Sequence, residues 1–169
     1  TCGYATTDFD LWPETSKMIL VLLMFCGACA GSTGGGFKIS RLLILCKAIP
    51  KQLSLVIHPR EVKVIRMDGK PIDHNTLRST NVYLAIYFFI LLVSTLLISV
   101  DNFNLTTNFT AVASTLNNIG PGLDGVGPTR NFGMYSDFSK FVLMFDMLAG
   151  RLELYPLLIL FMPSLWRRK

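Results

Sequence analysis

Cys26 and Cys29 stand in "CGAC", the spacing of a dithiol redox pair. They lie in an apolar run with no strand–helix unit around them, so small-residue packing is the better reading. The stretch "GSTGGGFK", residues 31–38, has the flavour of a phosphate loop. Phe37, however, separates the last glycine from Lys38, and Ile39 stands where Ser or Thr would hold a metal. His58 and His74 each lack a second ligand at metal-site spacing. What remains is chemistry of another kind. Two glycine-bearing loops, "TCGYAT" at 1–6 and "NNIGPG" at 117–122, can present bare backbone oxygens, and Asp146, Arg151 and Glu153 sit inside an apolar run.

The elements that must position these groups are membrane segments. About half of the 169 residues are hydrophobic (51%), as in a membrane protein rather than a soluble domain. Residues 17–49 are apolar but broken by Gly31, Gly34, Gly35 and Gly36. Residues 82–100 are uncharged and long enough to span a bilayer core of about 30 Å. Residues 138–165 are long enough to span at a tilt. With no initiator Met and no signal-peptide pattern, the chain is expected to begin partway through a larger protein.

The net charge of +5 is concentrated rather than spread. Lys38, Arg41, Lys47, Lys51, Arg60, Lys63, Arg66, Lys70 and Arg78 crowd one loop, and "WRRK" closes the chain, whereas 101–137 holds only Arg130. This asymmetry places 38–79 and the C-terminus in the cytoplasm and speaks for topology, not nucleic-acid binding. Residues 104–118 are mildly apolar, too short to span, and carry Phe109, Val112, Ala113 and Leu116 on one helical face. "IGPGLDGVGP" follows. A short helix that enters and returns as extended chain is re-entrant, a form allowed at membrane depth only where protein or water covers the backbone.

The two ends of the chain resemble each other. Ser16-Lys17 leads to Met24-Phe25, and Ser139-Lys140 leads to Met144-Phe145, each after a glycine-bearing segment and an acidic outer stretch. The organisation expected is therefore an incomplete pore unit with filter and broken helix (1–46), a basic cytoplasmic linker (47–80), and a complete pore unit (81–169). The second unit has a transmembrane helix at 82–100, a pore helix at 104–117, a filter at 117–122 and a transmembrane helix at 138–165. The fold class is all-α integral membrane with a pore-loop architecture.

"TCGYATTDFDLWP", "GACAGSTGGGFK", "TLNNIGPGL" and "MLAGRLELYPLLIL", in that order, make the chain similar to the last part of Trk/Ktr/HKT-type potassium uptake proteins, nearest the Trk-type membrane subunit. The similarity covers essentially the whole chain. It implies four such units around one pore, of which this chain holds the third filter through the fourth unit. It further implies a homodimer of the full-length protein in the cell (inner) membrane, surrounded by lipid, and a cytosolic nucleotide-binding regulatory subunit. It implies no enzyme activity and no cofactor in this chain, with K+ as the substrate. Gly3 and Gly120 match the family's filter glycines. Carbonyls of Thr1, Cys2 and Gly3, and of Asn118, Ile119 and Gly120, are then expected to face the ion, with Asn117 as a side-chain brace. Gly31, Ser32, Thr33, Gly34, Gly35 and Gly36 match the intramembrane gating loop, and Arg151 matches an arginine beneath the filter.

From the residues alone, the glycine run is a break that lets backbone line or obstruct a watery path, and a flexible segment there can gate. Arg151 must find a partner inside the membrane, either the loop carbonyls or a buried acid. Asp8, Asp10 and Asp124 either concentrate cations at the mouth or are solvated surface. The basic loop either docks a soluble partner or merely connects. Two competing functions remain: an alternating-access transporter with substrate at the broken helix, and a membrane anchor for a regulator.

Overall fold

The computed structural model describes residues 3–29, 32, 34–58, 64–67 and 69–151. Among them, five α-helices follow in order: α1 (Glu14–Cys26), α2 (Ile39–Ile57), α3 (His74–Ile98), α4 (Leu105–Leu116) and α5 (Asp137–Arg151). A two-residue antiparallel pair, β1 (Arg66–Met67) with β2 (Lys70–Pro71), lies between α2 and α3.

Each helix end has a local cause. Pro13 precedes α1, Glu14 favours its positive N-terminal end, and Gly27 at φ +66° stops it. The first turn of α5 is held by Ser136, whose hydroxyl accepts the Ser139 N–H at 3.3 Å. Asp101 reaches across from the end of α3 and accepts the Ser136 N–H at 3.0 Å. Asn102 ends the turn after α3 at φ +56°, a left-handed conformation that Asn tolerates.

The short helix α4 forms the centre. Ala111, Val112, Ala113 and Leu116 are fully buried, and α5, α3 and α1 pack around them. Its twelve residues rise about 18 Å, well short of a bilayer core. Its buried hydroxyls are satisfied locally: Thr115 donates to the Ala111 carbonyl at 2.9 Å, and Ser114 to the same carbonyl at 3.0 Å. Asn108 accepts the Tyr135 hydroxyl at 3.0 Å. Burial pushes that hydroxyl up to about 12, so it remains a donor at neutral pH. Tyr135 is thus a buried brace on α4.

The outer helices turn apolar faces outward. Phe89, Leu92, Leu96 and Val100 are exposed on α3, and Phe138, Phe141, Met144 and Leu148 on α5. Such faces suit hydrocarbon or another apolar segment. Among the described residues one stretch, Asn75–Asp101, is long and apolar enough to cross a membrane.

Several boundaries differ from the sequence reading. The break in the first apolar stretch opens at Gly27, before the glycine run, because that glycine adopts a conformation no helix continues through. The 46/47 boundary falls inside α2, which continues through Pro50 to Ile57. The helix expected at 82–100 begins at His74, because polar residues after Asp73 extend it beyond the apolar core. The short helix expected at 104–117 spans 105–116, with Asn104 and Asn117 as its caps. For the last helix, 152–165 lies outside the described residues.

Candidate functional site: two glycine loops and a broken helix around one cavity

After α4 the chain turns at Asn117 and runs back alongside the helix it has just left. The Ile119 N–H donates to the Ser114 carbonyl at 2.8 Å. Further back, the Leu123 N–H donates to the Thr110 hydroxyl at 3.0 Å and the Gly125 N–H to the Thr107 hydroxyl at 3.2 Å. The threonines of α4 thus hold the returning strand, which gives the re-entrant shape its register.

The backbone of this return has an unusual sequence of conformations. Asn118 is at φ +53° and Gly120 at φ +117°, while Ile119 between them is not in the positive region. Gly3, in the loop before α1, is at φ +78°. The two glycines meet: a Cβ on Gly120 would lie 2.8 Å from the Gly3 Cα, and one on Gly3 would lie 3.6 Å from the Ile119 carbonyl oxygen. Thr1 and Cys2 lie outside the described residues.

Asn117 is fully buried at the base of this return. Its Nδ2 donates to the Ala113 carbonyl at 2.7 Å, and its Oδ1 accepts the Tyr87 hydroxyl at 2.8 Å. Asn118 Nδ2 donates to the Met147 carbonyl of α5 at 3.1 Å. Gly150, on the same helix, packs so closely that a Cβ there would collide with the Leu116 carbonyl oxygen.

The broken helix reaches the same place. The loop between α1 and α2 is closed at its neck, where the Ile39 N–H donates to the Ala28 carbonyl at 3.1 Å. Ser32 is within it, its hydroxyl accepting the Gly34 N–H at 3.0 Å. A Cβ on Gly35 would lie 2.7 Å from the Asn117 carbonyl oxygen, and one on Gly36 would lie 2.8 Å from Asn117 Oδ1. Gly31 and Thr33 are outside the described residues. One cavity of about 600 Å³ is lined by Gly3, Gly27, Gly35, Asn117 and Ile119, with Met24 of α1 on its wall.

Arg151 follows Gly150 at the end of α5, so it lies near the base of the second loop. It is exposed, and among the described residues no hydrogen bond or ion pair joins it to the glycine loop; Glu153 is outside them. Asp146, for which the sequence offered no role, is fully buried and ties α5 to α3, its Oδ1 accepting the Ser94 hydroxyl at 2.7 Å.

The outer acids do something the sequence did not suggest. Asp10 Oδ1 accepts the Asp124 N–H at 3.0 Å, joining the two loops across most of the chain, and its other oxygen lies against Gly127. Asp124 accepts from Thr107 at 2.9 Å and from Asn104 at 3.3 Å, and Asp8 caps the turn at Phe9. These carboxylates are engaged by backbone and side-chain donors rather than merely solvated. Tyr87, Gly27 and Gly150 were also missed. A tyrosine hydroxyl inside a spanning run was the available signal for Tyr87, because it needs a partner there.

The family model described as TrkH, cation transport protein, matches residues 1–168. The chain is 38% identical over 167 residues to the Trk system potassium uptake protein TrkH of Vibrio parahaemolyticus, covering 99% of this chain and 34% of that protein. It is 36% identical to the protein of the same name from Escherichia coli K12, with the same coverage. The crystal structure of the potassium transporter TrkH from Vibrio parahaemolyticus superposes with a TM-score of 0.87, over 98% of this chain and 35% of that one. The chain thus spans about a third of the length of these relatives.

Proposed function

Since the chain belongs to the TrkH family of cation transport proteins, we propose that it forms part of a potassium uptake pore, with a carbonyl filter and an intramembrane glycine gate. The supporting observation is the convergence of Gly3, Ile119 and Asn117 with Gly27 and Gly35 on one cavity. Loops more than a hundred residues apart in sequence share a single space, as a filter built from several re-entrant hairpins requires.

The chemistry is replacement of the ion's water. Potassium enters a filter when rings of peptide oxygens substitute for its hydration shell. In an ordinary extended strand successive carbonyls point to opposite sides. Alternating positive and negative φ, as at Asn118, Ile119 and Gly120, turns successive peptide units toward a common side. In this reading the carbonyls of Asn118, Ile119 and Gly120, with those of Thr1, Cys2 and Gly3, coordinate K+, and two further loops from the rest of the pore complete the ring. Asn117 fixes the base of the fourth loop.

The glycine segment 31–36 acts as the gate. Gly35 and Gly36 lie against Asn117, directly below the filter return, where the absence of side chains lets the loop approach closely. Arg151 places a positive charge near the same level and raises the barrier to a cation. An alternating-access transporter would bind a solute at the broken helix and has no need of a second glycine loop; the close approach of Gly120 to Gly3 favours the filter reading. The finer assignments follow from the same reading: the inner membrane, a homodimer of the full-length protein, and a cytosolic nucleotide-binding regulator meeting the basic segment 38–79.

The test is Gly120→Ser in the intact transporter. A side chain there meets the Gly3 Cα and forces the two loops apart. Discrimination of K+ from Na+ in flux assays is expected to fall by roughly tenfold, a barrier change of about 1.4 kcal/mol. Unchanged selectivity at normal membrane levels would remove the filter assignment.

A further inference from the structure

The contacts of Asn117 raise a question the filter assignment leaves open. The residue is fully buried, and both ends of its carboxamide are used. One end is bound to its own helix through Ala113, and the other to Tyr87 of α3. On its remaining side stand Gly35 and Gly36, each too close for a side chain. Asn117 is therefore the point where the pore helix, the outer helix and the glycine loop touch.

Tyr87 is placed to control that point. Its ring, 2% exposed, packs edge-on against Phe25 at 6.4 Å and tilted against Phe37 at 6.2 Å. Phe25 lies just before the loop opens at Gly27, and Phe37 just before it closes into α2. The ring thus bears on both ends of the glycine loop, while the hydroxyl bears on the filter base. Nothing in ring packing requires the hydroxyl, since phenylalanine would fill the same space.

We propose that the Tyr87 hydroxyl is a positioning group: through Asn117 it holds the loop after α4 and the glycine loop in one register, so that displacement of either is transmitted to the other. This rests on the filter reading above. A buried acceptor that loses its donor either goes unsatisfied or rotates to find another. Rotation of the Asn117 carboxamide would give up its hold on the Ala113 carbonyl, freeing the turn after α4, and alter the space against Gly36 together. Ion discrimination and loop closure are coupled in this way.

The experiment uses the intact transporter, with K+ and Na+ flux measured beside membrane abundance and melting temperature in detergent. Tyr87→Phe removes one oxygen and leaves the aromatic cluster. Its K+/Na+ ratio is expected to fall roughly fivefold, the scale of one buried hydrogen bond, at near-normal abundance. Gly36→Ala, with Tyr87 intact, presses on Asn117 from the loop side and is expected to change the ratio as well. A Tyr87→Phe protein with lowered melting temperature but unaltered ratio would make the hydroxyl merely structural and overturn the inference. Should that variant fail to reach the membrane, Gly36→Ala decides: an unaltered ratio overturns the coupling. If Gly120→Ser changes selectivity and Tyr87→Phe does not, only this inference falls; if neither changes it, the filter reading falls too.

Discussion

Gly150 shows how little room is left between α5 and the end of α4. It lies inside α5, where glycine is normally a weakness, yet any Cβ would strike the Leu116 carbonyl and crowd the Asn118 amide. In an exposed helix Gly→Ala stabilises; here it must overpack against backbone, which cannot rotate away. Gly150→Ala is expected to destabilise by about 3 kcal/mol, read as a lowered melting temperature and reduced membrane abundance. A melting temperature equal to or above the parent's would show that α5 does not press on α4 as described. Asp10 makes the complementary point at the other end of α4. Read from sequence, its carboxylate is either a charge concentrating cations or solvated surface, but one oxygen accepts the Asp124 N–H. Residue type was legible in both cases; the partner was not, because it comes from the far end of the chain.

At the scale of elements, the repeat is clearer in three dimensions than in the letters. Both α1 and α5 open on an acid, then serine and lysine, and in each the lysine pairs with the acid three residues earlier: Lys17 with Glu14 at 2.9 Å, Lys140 with Asp137 at 3.4 Å. Gly27 and Gly150 stand equally far after those lysines. Aligning the copies on these turns pairs Met24 with Met147, not with Met144. The same position has two fates: Gly27 takes φ +66° and ends its helix, whereas Gly150 stays helical and lets α5 close on α4. Arg151 follows directly and has no counterpart charge after Gly27, where Ala28 stands. Arg151→Ala is expected to raise basal K+ flux about tenfold, equivalent to removing ~1.4 kcal/mol from the barrier. Lower flux at normal abundance would instead assign the arginine to structure.

For the whole molecule, the exposed apolar faces of α3 and α5 leave surface for further segments, and the two loops converge at Gly3 and Gly120. In the proposed filter these glycines supply two loops, and a carbonyl cage around one ion needs oxygens from all sides. The 169-residue chain expressed alone is therefore expected to insert in membranes but carry no K+ above background in uptake-deficient cells. Robust selective uptake by this chain alone would mean that two loops suffice, or that copies associate to close the ring.

Membrane residence, the short helix before a glycine loop, and the break in the first apolar stretch were decided by local composition. Hydrocarbon tolerates few charges and no bare backbone, so length, hydropathy and glycine placement leave few alternatives. The family motifs, from "TCGYAT" to "MLAGRLELY", likewise read directly from the letters. Tertiary structure alone decided which groups meet: Gly3 with Gly120, Asp10 with Asp124, Tyr87 with Asn117, Gly150 with Leu116. Those contacts join residues tens of positions apart or more. Periodicity says which face of a helix is buried, but packing determines what it is buried against.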